Sequence, residues 1–107
     1  MTHNALATSR DSFDLDRAIC VYLGGPPDSA AINLKNQVDR LNAEFGADAQ
    51  AIKIEIDRKL DSFAKPAARK GVPSGHSLAS WIAQEMPDAT DVCRDKIAVY
   101  VEIYVAR

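Results

Sequence analysis

Among the 107 residues, the two cysteines and two histidines are the side chains best suited to ligate a metal or act as nucleophile and base. His3, Cys20, His76 and Cys93 stand singly, without the paired spacings that structural zinc sites use. No metal, cofactor or catalytic residue is therefore expected. A small enzyme would need His76 to reach a cysteine or serine in space, and this stands as the third functional alternative. The carboxylate pairs Asp14/Asp16, Glu55/Asp57 and Asp88/Asp91 read as solvated edges and helix caps.

Two glycine-bearing stretches raise the question of an anion site. Leu23-Gly24-Gly25-Pro26-Pro27-Asp28-Ser29 joins a candidate strand to a candidate helix, where free N–H groups and a helix dipole can meet a phosphate. It lacks the three spaced glycines of a dinucleotide loop, its prolines remove donors, and Asp28 adds a negative charge. The stretch reads as a turn and a cap. The second, Gly71-Val72-Pro73-Ser74-Gly75-His76-Ser77, opens a helix behind Lys65, Arg69 and Lys70. Lys65, Arg69, Lys70, Ser74 and His76 are the candidate contacts for an anionic ligand or an acidic partner. A nucleotide- or anion-binding protein using loop 65–77 is the second functional alternative.

The aromatic residues carry the leading reading. On strands, Tyr22, Tyr100 and Tyr104 fall opposite an aliphatic stripe, with Glu102 among them. A tyrosine-bearing face open to water suits a protein partner. Its thin basic rim (Arg17, Lys53 and Arg107) argues against nucleic acid. Tyr22, Tyr100, Glu102 and Tyr104 are thus the expected partner-binding residues, on a sheet face or strand edge.

The elements that must position these residues follow from periodicity. Arg17–Leu23 alternates as a half-buried strand does, with Ile19, Val21 and Leu23 on one side. Asp28 or Ser29 caps a helix whose stripe is Ala31, Leu34, Val38, Leu41 and Phe45, ended by Gly46. Residues 51–57 alternate with three isoleucines, so a strand is expected. The same region also carries a helical stripe, Ala49, Ile52, Ile56, Leu60, Phe63 and Ala67, which leaves Ile54 on the wrong side. A short helix over 77–86 buries Leu78, Trp81 and Ile82. Ile97, Val99, Val101, Ile103 and Val105 form the strongest strand signal, being β-branched and on one face.

The expected fold is α/β: a β-α-β-α-β domain with a three-stranded sheet (17–23, 51–57, 96–106) and helices 29–45 and 77–86 on one face. Residues 1–13 form a flexible arm and 14–107 a single globular domain. The alternative keeps two strands and makes 48–64 a helix in an αα hairpin. The composition, 47% hydrophobic and 26% charged with a net charge of -2, is ordinary for a globular protein and implies no wholesale nucleic-acid binding. No apolar run reaches the length of a signal peptide or membrane span, so a cytoplasmic location is expected, with reduced cysteines. The functional expectation is a non-enzymatic protein-binding module, regulatory or inhibitory, of the kind found among bacterial and phage accessory proteins, with another protein or a second copy as partner.

Overall fold

A computed structural model describes residues 15–106; the arm expected at 1–13 lies outside the described residues. Helix α1 covers 15–23. Helix α2 is Gln37–Phe45, and a 3-10 turn, Gly46–Asp48, leads into α3, Ala49–Lys70. Helices α4, Leu78–Glu85, and α5, Asp91–Ala106, complete the order. Among the described residues there is no strand. The fold is all-helical, which overturns both the three-stranded α/β sheet and the two-stranded alternative.

Each expected strand turns out to carry a helical face. In α1, Leu15, Ala18, Ile19, Tyr22 and Leu23 are spaced three, one, three and one, and all pack into the core. In α3 the helical stripe prevails: Ala49, Ile56, Leu60, Phe63 and Ala67 are buried, while Ile54 is 55% exposed. In α5, Cys93, Ile97 and Val101 recur every four residues and are buried, whereas Ile103 and Val105 face outward. A helix satisfies its own backbone groups, but a strand needs a neighbour. Residues 51–57 lie inside a 22-residue helix, and no sheet can form around them.

The glycine turn is a helix C-terminus, and its polar groups account for every carbonyl there. Gly24 N–H returns to Cys20 O at 2.9 Å, and Asn33 N–H to Leu23 O at 2.7 Å. Arg40 donates to Val21 O and Tyr22 O, both at 3.0 Å, and also to Asn33 O and Lys35 O. Gly25 has φ +80°, and a Cβ there would lie 2.2 Å from Ala31 O, so only glycine fits. Residues 26–36 fold back over this end instead of forming the helix expected from 29. Ser29 Oγ takes Ala31 N–H and Asn33 Oδ1 takes Lys35 N–H, local bonds that compete with a helical ladder. Helix α2 starts only at Gln37, after Asn36 in the left-handed region.

Lys96 closes the same corner from α5. It is 1% exposed, and its ammonium donates to Gly24 O and Ala31 O, each at 2.6 Å. Two cations, Lys96 and Arg40, thus meet the negative end of α1.

The remaining elements pack around α3. Helix α5 lies along it, α2 packs on its first half, and α4 packs on α5. Phe63 is buried and meets Trp81 edge-on, with ring centroids 5.1 Å apart. Helix α4 starts as expected: Ser77 Oγ accepts Ser80 N–H at 3.1 Å, and Ser80 Oγ accepts Ser77 N–H at 2.9 Å. Among the described residues, no helix is long and apolar enough to cross a membrane.

Candidate functional site

Helices α2 and α3 leave a groove of about 550 Å³ with a mixed lining: Val38, Leu41, Ala49 and Ile54 together with Asn42, Gln50 and Lys53. The tight Gly46–Asp48 turn forces the two helices together, with Gly46 (φ +56°) donating its N–H to Asn42 O. Leu41 and Ala49 form the buried floor. Val38 and Ile54 are 47% and 55% exposed. Val38 belongs to the stripe expected in the core, so its exposure is a correction. Asn42, Gln50 and Lys53 supply polar groups around the groove. Lys53 pairs with Asp57 at 2.7 Å, and that hydrogen bond lifts the ammonium pKa above its ordinary value.

The tyrosines occupy a helical seam. Tyr22 is nearly buried, and burial together with the Asp57 carboxylate raises its phenol pKa. Burial and the Asp61 carboxylate do the same for Tyr100, which also feels Tyr22 and Tyr104. The Tyr100 and Tyr104 rings lie 6.3 Å apart, one helical turn from each other on α5. Tyr22, Tyr100 and Tyr104 lie near one another between helices, which corrects the sheet face expected for them. Glu102 does not share their side, because residues two apart on a helix point in different directions.

The basic stretch is mostly helix. Lys65, Arg69 and Lys70 belong to the last turns of α3, where cations suit the dipole, and Lys65 lies 3.5 Å from Asp61. The loop expected over 65–77 begins only at Gly71. Ser74 and His76 are exposed in a turn closed by His76 N–H to Pro73 O at 3.1 Å. At the start of α4, the Ser77 and Ser80 side chains take each other's backbone N–H groups, which leaves fewer donors for an anion.

A third cluster joins α1 to the start of α5. The ligating atoms of Asp16, Cys20 and Cys93 lie within 4.8 Å of one another. Both cysteines are free; Cys93 is buried and Cys20 half-buried. A hydrogen bond from Cys93 lowers the Cys20 pKa, opposed by burial, and the same pairing raises that of Cys93. His76 is not part of this group. Cys20 opens onto a groove of about 470 Å³ shared with Arg17, Gly24, Arg40, Glu44 and Lys96. Arg40 and Lys96 are committed there to backbone carbonyls, which disfavours an anion.

Two of these features had a trace in the sequence. Ile54 was the residue that the helical stripe left over, and Asp16 and Cys20 are spaced i, i+4. Compared with known proteins, the chain matches no family model, no curated protein and no solved structure.

Proposed function

We propose that this chain is a small non-enzymatic protein-binding module, regulatory or inhibitory in role, which receives an apolar helix of a partner in the groove between α2 and α3. The observation that carries this reading is the exposure of Val38 and Ile54 beside the buried floor of Leu41 and Ala49. Apolar side chains interspersed with Asn42, Gln50 and Lys53 suit a protein interface, and an amphipathic helix is the shape that fills such a trough. The tyrosine seam, with Tyr22 nearly buried, belongs to the packing of α1 against α3 and α5. Two free thiols support a reducing, cytosolic setting.

The test begins with a photo-reactive residue at position 54 and, as control, at position 103, to capture the partner in the native host. Affinity for the purified partner is then measured by calorimetry. Val38→Asp and Ile54→Asp should each weaken binding at least tenfold, with the helical circular dichroism unchanged, and Ile103→Asp should bind normally. Equal affinity of all three variants would refute the groove. Sedimentation equilibrium of the chain alone shows whether the partner is a second copy.

A further inference from the structure

We propose that Asp16, Cys20 and Cys93 form a binding site for a thiophilic divalent cation of the zinc class, with one coordination position left for water or an outside ligand. Asp16 and Cys20 stand one turn apart on the same face of α1, and Cys93 reaches them from the first turn of α5. Their ligating atoms lie within 4.8 Å of one another. A tetrahedral zinc ion with bonds of about 2.0–2.3 Å holds its ligands roughly 3.5 Å apart, so side-chain rotation of about an ångström completes the site.

The surroundings are those a bound cation requires. Thr90 N–H donates to one Asp16 oxygen at 2.7 Å, and Thr90 Oγ1 donates to the other at 3.3 Å. Thr90 Oγ1 also accepts the backbone N–H of Cys93 at 3.2 Å, the cap of α5, so one residue ties Asp16 to the helix that carries Cys93. Two thiolates and a carboxylate around a divalent ion leave one excess negative charge. The Lys96 ammonium, of opposite sign, lines the same groove as Cys20. Sulfur ligands select zinc-like ions over magnesium and calcium, which take oxygen. Cys20 lines the groove that contains Arg17 and Glu44, which provides the way in and the open fourth position.

Binding releases two thiol protons and forms two metal–sulfur bonds, with no change of oxidation state. The site is independent of the α2/α3 groove, so either reading can fail alone. The reduced full-length chain is titrated with Co²⁺, followed by thiolate-to-metal charge transfer and by the visible bands of tetrahedral cobalt. Zn²⁺ is then used to displace it. One equivalent should bind and be expelled by Zn²⁺, and Zn²⁺ should raise the melting temperature. Cys20→Ser should lose at least half of the charge-transfer band and weaken binding, and Asp16→Asn, which removes a direct ligand, should weaken binding by at least about tenfold. If Cys93→Ser does not fold, the two α1 variants still decide the matter. Absence of cobalt or zinc uptake by the reduced chain overturns the proposal, as does uptake unchanged in Cys20→Ser. Conversion to a Cys20–Cys93 disulfide without metal uptake also overturns it and marks a redox pair.

Discussion

Lys96 shows how much one side chain can hold at the residue scale. Its ammonium is buried, has no carboxylate partner among the described residues, and is bonded to Gly24 O just past α1 and to Ala31 O in the segment folded over it. Lys96→Met keeps the volume but removes the donor to Gly24 O and Ala31 O. Gly24 O is then a buried acceptor left alone, at a cost of about 1–3 kcal/mol, while the part-buried Ala31 O can turn to water, so urea unfolding should show a loss of roughly 1–3 kcal/mol. Alanine at position 96 would add a cavity to that loss. Tyr22 and Tyr100 make a different prediction. Burial first, and then a neighbouring carboxylate, raise both phenols above their ordinary value of 10.0. The folded state then holds these protons more tightly than the unfolded chain does. Their contribution to stability is complete below pH 10 and is lost as pH rises through the raised values. Stability measured from pH 9 to 12 should fall less steeply in Tyr22→Phe than in the wild type. An unchanged slope would remove Tyr22 from the alkaline response.

At the scale of the element, α3 carries an internal contradiction. Pro66 lies four residues before the end of this helix and offers no N–H to the carbonyl one turn back. The helix nevertheless continues to Lys70, because Phe63, Ala64 and Ala67 on either side of the proline are buried. Tertiary packing outweighs a propensity cost of about 3 kcal/mol. Pro66→Ala should restore the hydrogen bond and stabilise the protein by about 1–3 kcal/mol, read as a rise in the urea midpoint. No gain would mean that the chain at Lys65–Pro66 is already fitted to the proline ring. Helix α4 is the opposite case, since capping box, stripe and stop agree. It lies at Leu78–Glu85, close to the 77–86 that its sequence implies.

For the whole molecule, the decisive contrast lies within α5. Val101 and Ile103 share a face in a strand, yet on this helix Val101 is 1% exposed and Ile103 37%. Val101→Asp should bury an unpaired charge one turn from buried Ile97 and cost at least about 3 kcal/mol, enough to unfold a marginal domain. Ile103→Asp should change stability by less than about 1 kcal/mol. Comparable damage from both substitutions would restore the strand. The same logic governs the candidate sites. Val38 and Ile54 belong to different helices, and Asp16 and Cys93 come from opposite ends of the described chain. Their meeting depends on how helices dock, which no local pattern encodes.

Local signals were readable wherever hydrogen-bonding side chains and spacing acted together. The Leu41–Phe45 stripe ending at Gly46, the Ser77 cap and the second stripe through Ile56, Leu60 and Phe63 all came from residues a turn apart. The alternation of Ile97, Val99 and Val101 was equally real, but it fitted two periods. An apolar run that alternates over ten residues also places residues at i, i+4 on one side of a helix. Strand and helix then differ only in what lies opposite. The folded chain offers α3 opposite α5 and, among the described residues, no strand edge, so the backbone hydrogen bonds close within α5. By itself the sequence determined which residues are apolar, where α2 ends and α4 begins, and which side chains carry charge. Tertiary packing decided the period, because a strand's backbone must be satisfied by a neighbour and a helix satisfies its own.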